Sequence, residues 1–443
     1  MSDSLHNASN AATAYDVSVI GGGASGLAAA ITAARAGASV CVIERDVEAG
    51  LSILATGNGR CNISNTHLGP ARYRYPDVAR AVMGDHAEAD VQTFFDGLGL
   101  LMVEEGEGRL YPVTRRAESV RDVLLGAATR AGASIRCGAK VTDARFDGAW
   151  ELTVSEPATP LKCKPGHDAK TSLRNARKAL AAVPLALRTI RARRVVLACG
   201  GTCGELASLF GAPHRPETPA LCPVAASITG APRALETLDG LRVHGALCLR
   251  RDGSAIWHDA GEILFRPYGI SGIVAFNLSR RMNAGDSLLV DLFPQYDREA
   301  FRALLDERTK AFGAFSADNP KWFDGMLAPA LANVVCHLYT ACHPGETDVS
   351  HIVSICKHLK LEIAGTAEPQ QAQVRRGGIP FDAVELGTLA VADAKGSDLF
   401  ACGEALDMDA DCGGYNLAWA WLSGIRAGKG GRSCLRFQRF AAA

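Results

Sequence analysis

The sequence carries no net charge: 47 Lys plus Arg stand against 47 Asp plus Glu in 443 residues. That balance gives no global attraction toward nucleic acid or an acidic membrane surface, so a small-molecule partner is expected, with no nucleic acid and no membrane. No apolar stretch reaches the roughly 18 uninterrupted residues of a membrane helix. The opening residues 1–14 lack the basic start and apolar run of a signal peptide and read as a disordered tail. Cysteines are present but not in pairs: the 14 of them are scattered, which excludes a disulfide framework and fits the reducing cytoplasm. His337, His343, His351, His358, Cys336, Cys342 and Cys356 crowd one region without the close spacing of a zinc site, so no metal is expected. A second G-x-G-x-x-G is also missing, and Cys61 has no redox partner after the first helix. A disulfide reductase with its own NAD(P)H domain is thereby excluded.

What is there begins at Tyr15. Residues 15–44, YDVSVIGGGASGLAAAITAARAGASVCVIE, read as strand, glycine turn, helix and strand. Gly21 allows the sharp turn, Gly23 lets a pyrophosphate approach the backbone, and Gly26 lets helix and strand pack closely. Ala24 and Ser25 open the helix, where phosphates lie on its N-terminus. Glu44, with Arg45 after it, closes the second strand at the distance that suits a carboxylate accepting hydrogen bonds from an adenosine ribose.

The loop 50–65 contains Gly59, Arg60, Cys61 and Asn62, a cation beside hydrogen-bonding groups that could face a ligand or form an ordinary turn. Helical spacing predicts helices over 86–99 and 118–131, with Arg109 in the loop between them. Alternation predicts a meander over 133–154 added to the first sheet. Residues 156–194 hold ten Lys or Arg against one acid, Asp168, between Lys162 and Arg194, and read as a solvated, mobile excursion. The strand VVLACGG then runs into Gly200, where cofactor edges lie in an open parallel sheet. Short strands with a hairpin turn at Asp252-Gly253 follow over 223–271, and helices over 297–359. The chain closes with the strand LFACGE, carrying Gly403 and Glu404, and with Gly413 and Gly414 before a helix that opens at Tyr415, Asn416 and Leu417.

GGGASG, TGNGRCNISN, GRLYP, VVLACGG, GEILFRPYGISG, FACGEALD and GGYNLAWAWLSG together resemble the BaiN-type FAD flavoprotein family, whose members are 3-dehydro-bile acid reductase-like or aminoacetone oxidase-like NAD(P)/FAD-dependent oxidoreductases. The resemblance implies an α/β fold, a Rossmann-like FAD domain of the two-dinucleotide-binding-domain type with an inserted β-barrel and a small helical domain. The expected bounds are 15–204 with 366–443, 205–290 with 360–365, and 291–359. It implies that Val141 meets the adenine through its backbone, that Arg60, Cys61 and Asn62 lie near the cofactor, that Glu404 lies on the ribityl chain, and that Asn416 and Leu417 face the flavin pyrimidine. The chain departs from the family at Leu51-Ser52, at CGGTCGELASLFG and at Pro267, all close to where substrate would meet flavin. The leading reading is an NAD(P)H-driven reductase delivering hydride from flavin to an enone-like C=C, with Arg60, Arg109, Tyr268 and Tyr415 as catalytic candidates. An oxidase of an amine or hydroxy compound and a non-catalytic flavin-bearing redox protein stay open, as does the oligomeric state.

Overall fold

The computed structural model describes residues 13–430 except 163, 165, 344, 345, 347 and 393. The chain forms two compact units, one reaching to Thr218 and resuming at Arg375, the other Pro219–Val374.

The first unit is built on a mixed sheet. Strand β1 (Thr13–Ile20) leads through the glycine turn into α1 (Ala24–Arg35) and returns as β2 (Val40–Glu44). After α2 (Ala117–Arg130) come β3 (Ser134–Cys137), β4 (Lys140–Phe146), β5 (Trp150–Pro157), α3 (Ala169–Ala182) and β6 (Leu185–Leu197). The chain re-enters late with β7 (Leu399–Ala401) and α4 (Tyr415–Lys429). β7, β6, β1, β2 and β3 are parallel neighbours in that order. β5 pairs antiparallel with the first part of β6, and β4 with β5.

Contact distances explain the turn. A Cβ on Gly21 would fall 2.3 Å from the Ala198 carbonyl oxygen, and one on Gly26 1.9 Å from the Gly21 oxygen, so strand ends and helix meet at a spacing only hydrogen permits. α4 lies on α1 by the same device: Cβ atoms on Gly424 and Gly428 would stand 2.3 and 2.5 Å from the backbone oxygens of Ser25 and Ala29. The Trp419 indole N–H donates to the Gly403 carbonyl and that of Trp421 to the Ile63 carbonyl, each at 3.0 Å. The last helix thus holds the glycine turn, the end of β7 and the loop after residue 56 in one body.

The second unit is a closed six-stranded barrel, made from Val224–Ile228, Gly269–Ser271, Ser254–Arg266, Arg242–Arg251, Ser287–Asp291 and Leu359–Thr366 in order around the ring. Helices Arg298–Phe312, Pro329–Cys342 and Val349–Lys357 share its core through Phe301, Leu331, Val335 and Ile352. The two expected inserts are therefore one compact unit with one core. Its edges also move, from 205 to 219 and from 366 to 375, because Phe210 of helix Gly204–Phe210 packs on Trp150 at 4.9 Å and stays with the first sheet.

Within the segment 156–194, expected as a solvated excursion, the described residues include regular structure. Residues 169–182 form α3, and residues 185–194 belong to β6, with Ile190 and Ala192 buried while Arg191 and Arg193 face solvent. Buried and charged residues alternate with the period of a half-buried strand. The expected tail lies, up to residue 12, outside the described residues, and Thr13 and Ala14 already belong to β1. The strand LFACGE ends at Ala401, and Gly403–Ala405 is a tight helical turn. Among the described residues, no helix is long and apolar enough to cross a membrane.

Candidate active site

The site grows from three chain segments of the first unit. The first is the turn into α1. No side chain caps this helix and no acid occupies its first turn. The amides of Ala24, Ser25 and Gly26 therefore face outward at the positive end of a 12-residue helix. At Gly23 an added Cβ would meet only Ser52 Oγ, at 3.2 Å, so the backbone there stays approachable. Glu44 is oriented by two amides: Oε2 accepts from Gly22 N at 2.7 Å and Oε1 from Asp46 N at 2.8 Å. Arg45 reaches Thr202 Oγ1 at 3.4 Å. Val141 is buried in β4 beside the irregular register between Val141 and Asp143.

The second segment is the end of β6 with the turn after β7. Gly200 has nothing within 4 Å of a would-be Cβ, whereas Gly403 sits against Ser25 and its amide donates to Ser423 Oγ at 2.9 Å. Glu404 lies between Gly201 and Arg375. Burial pushes its carboxyl up to about 7, although the backbone amides of Gly201 and Arg375 and the Arg375 charge oppose the shift. At neutral pH this group is divided between acid and carboxylate, able both to donate to and to accept from a hydroxyl.

The third segment joins the loop after residue 56 to the start of α4. Asn58 and Cys61 hold left-handed backbone with φ of 54° and 56°, unusual for non-glycine residues. The Cys61 thiol is buried, and burial pushes it up to about 11, so it is a packed group and not a nucleophile. Gly59 has open space around it. Asn65 Nδ2 donates to the carbonyls of Glu107 and Gly413, each at 3.0 Å, and the carbonyl of Ser64 lies 2.3 Å from where a Cβ on Gly414 would be. The loop carrying Asn62 is thereby fastened to the glycines before α4. The Asn416 amide closes the preceding loop, accepting from Ala410 N at 2.9 Å and donating to the Ala410 and Asp411 carbonyls, with Leu417 half-buried beside it.

Of the catalytic candidates, Arg60 is paired with Glu105 and lies over the Tyr111 ring, 4.4 Å from its centroid. Arg109 is paired with Glu107. Tyr415 is buried at the start of α4, with the Arg72 guanidinium 5.6 Å from its ring centroid and the Arg109 charge near enough to act on it. Arg109 and Tyr415 thus share one neighbourhood. Tyr268 belongs to the barrel unit, where burial and Glu368 push its hydroxyl up.

Sequence reasoning missed the acids Asp407, Asp409 and Asp411, all buried. Asp407 pairs with Arg74 at 2.6 Å and Arg215 at 3.2 Å, Asp409 with Arg376 at 2.9 Å, and Asp411 with Arg72 at 3.6 Å. Acids at alternating positions just before a glycine pair were the available signal. Among the described residues, two groups of metal-capable side chains also come together, Cys203 with His214 and Glu217, and His343 with Glu346 and His351.

Comparison with known proteins places the chain in a family. The HI0933-like protein Rossmann domain matches residues 15–165, and the HI0933-like protein barrel and H2TH domain matches residues 218–374. The 3-dehydro-bile acid delta(4,6)-reductase of Clostridium scindens is 30% identical, with 93% of this chain and 98% of that protein covered. The chain belongs to the HI0933-like family. It is an FAD-dependent oxidoreductase of the BaiN type. Proteins of Haemophilus influenzae and Escherichia coli named ribosomal RNA dihydrouridine synthase are 24% and 22% identical over 91% and 92% of this HI0933-like chain, and 95% and 96% of theirs. A 3-ketosteroid-delta4-(5alpha)-dehydrogenase from Rhodococcus jostii RHA1 has a TM-score of 0.44 at 16% identity, covering 94% of this chain and 96% of that one. The residues fit FAD: an uncapped helix end, an approachable glycine and a ribose-ready acid stand in sequence, and Glu404 supplies a partner for a hydroxylated chain.

Proposed function

We propose that this HI0933-like protein reduces a carbon–carbon double bond conjugated to a carbonyl group, with NADH or NADPH as the transient electron donor. The observation that carries this reading is the similarity, over nearly the full length of both chains, to a reductase of a 3-dehydro-bile acid. Bound FAD supplies hydride transfer between donor and substrate.

The chain's own residues provide position and protons. The α1 end, Glu44 and Glu404 hold and orient the cofactor, and the sequence's single G-x-G-x-x-G leaves the nicotinamide a visitor without a Rossmann domain of its own. Burial keeps the Tyr415 phenol protonated at neutral pH, so it can donate to a carbonyl oxygen where charge develops and deliver a proton there. Arg109, acting on Tyr415 by its charge, favours that developing charge, and Glu107 fixes its guanidinium. Arg60, clamped by Glu105 over Tyr111, presents a second fixed cation on the loop. Tyr268, in the barrel unit, stays a candidate by residue type alone. A small molecule met in the cytoplasm, away from membrane, completes the reading.

A second reading rests on the relatives named for dihydrouridine. The C5=C6 bond of uracil is also conjugated to a carbonyl, so the same chemistry serves a base in RNA. The balanced charge of this chain and its higher identity to the bile-acid reductase favour the small molecule.

Anaerobic mixing tests these readings. NADH or NADPH should bleach the oxidised flavin, and a steroidal enone should restore its colour while yielding the saturated ketone. Recolouring by a uridine-containing ribosomal RNA fragment and not by the enone would replace the first reading with the second. Bleaching by an amine or hydroxy compound, with no response to nicotinamides, would overturn both and point to an oxidase.

A further inference from the structure

At the end of β6, beside the residues assigned to FAD, three side chains of metal-binding type converge, and a fourth, Cys199, lies against one of them. The ligand atoms of Cys203, His214 and Glu217 all lie within 4.8 Å of one another, and the Cys199 thiol is hydrogen-bonded to that of Cys203. Cys203 is fully buried, and the side chains of His214 and Glu217 are 19% and 16% exposed. The carboxylate is aimed in advance, since Glu217 Oε1 accepts from Cys203 N at 2.7 Å and from Gly204 N at 3.0 Å. The imidazole is close but unsatisfied: Nε2 stands 3.0 Å from Glu217 Oε1, outside hydrogen-bond geometry, and this buried nitrogen has no hydrogen-bond partner. A buried ring nitrogen left this way is costly unless something binds it. Gly204 makes room for the ring, because a Cβ there would lie 2.9 Å from His214 Cε1.

We infer that Cys199, Cys203, His214 and Glu217 bind one divalent ion of the zinc class, through two thiolates, Nε2 and a carboxylate oxygen. Thiolate, imidazole and carboxylate are the donors zinc takes in closed four-coordinate sites. On binding, each thiol releases its proton to solvent and the metal keeps its oxidation state. The ion is structural: it ties the Cys199–Cys203 turn to the segment 214–217, and so fixes Gly201 against Glu404, whose Oε2 lies 2.7 Å from where a Gly201 Cβ would be.

The test is metal analysis of the FAD-loaded full chain, purified without chelator, followed by exchange with cobalt. Stoichiometric zinc is expected, and cobalt should give thiolate–cobalt absorption to the long-wavelength side of oxidised flavin. Cys203→Ser and His214→Ala should lose stoichiometric metal, while Cys248→Ser, on the barrel, should keep it. If the site variants do not fold, the cobalt spectrum of the unaltered protein decides. Reduced protein that takes up neither zinc nor cobalt, a Cys199–Cys203 disulfide in place of metal, or variants that retain full metal content would each overturn the inference.

Discussion

Replacing Glu404 by Gln removes a titration that the fold displaces to an unusual pH. In the folded flavin-free protein burial pushes this carboxyl from 4.5 up to about 7. Below pH 4.5 the group is protonated in both states and contributes nothing to the pH dependence. Between 4.5 and 7 the unfolded chain loses the proton while the folded one keeps it, so stability falls as pH rises, and above 7 the penalty is constant. Raising the carboxyl from 4.5 to about 7 corresponds to about 3 kcal/mol across that window. Because the chain forms two compact units, the first should be followed by hydrogen exchange at the buried amides of β6, Val195–Leu197, in wild type and Glu404→Gln at each pH. Comparing the two proteins at equal pH cancels intrinsic exchange and every other carboxylate. The wild type should lose protection relative to Glu404→Gln by roughly a hundredfold from pH 4.5 to 7 and no further above it. A ratio independent of pH would refute the reasoning.

Gly424→Ala should weaken the first unit by about 1–3 kcal/mol and lower FAD retention, because the new methyl meets the Ser25 carbonyl that α1 presents beside the glycine turn. Gly126→Ala, whose Cβ would touch only the flexible Arg130 end, should be neutral or stabilising; equal melting shifts in the two variants would contradict the close-packing account. Asp409→Asn should cost about 2–3 kcal/mol in chemical denaturation, since Asp409 is fully buried and Arg376 is left facing a neutral amide, with its 30% exposure moderating the loss. A loss below about 0.5 kcal/mol would mean the pair adds no more than a surface bridge.

What the sequence disclosed, and what it hid, follows from the range of the interactions. The turn of Gly21–Gly26 and the acid Glu44 were legible because strand, glycines, helix and acid act on one another within a single local unit. The helices after residue 297 were legible because 3.6-residue spacing is a local signal. Strand β6 was masked when its arginines were counted as charge; Ile190 and Ala192 between Arg191 and Arg193 already carried the two-residue period. Gly424 and Gly428 were illegible as contacts, since glycine adds nothing to an apolar stripe and reveals itself only when α1 lies against it. The same holds for the pairs that build the site. Asn65 meets Gly413, and Trp421 meets Ile63, across sequence separations that no spacing rule spans. Cys203 and Glu217 share a site only because the chain turns back after helix Gly204–Phe210. Chemistry carried by one stretch could therefore be named from residues alone, whereas Tyr415, one of four unranked candidates in the sequence, stands apart from the others only once Arg72 and Arg109 are seen around it. A protonated phenol beside two guanidinium groups is a property of three distant segments meeting, and that meeting is what the reduction of a conjugated ketone would draw on.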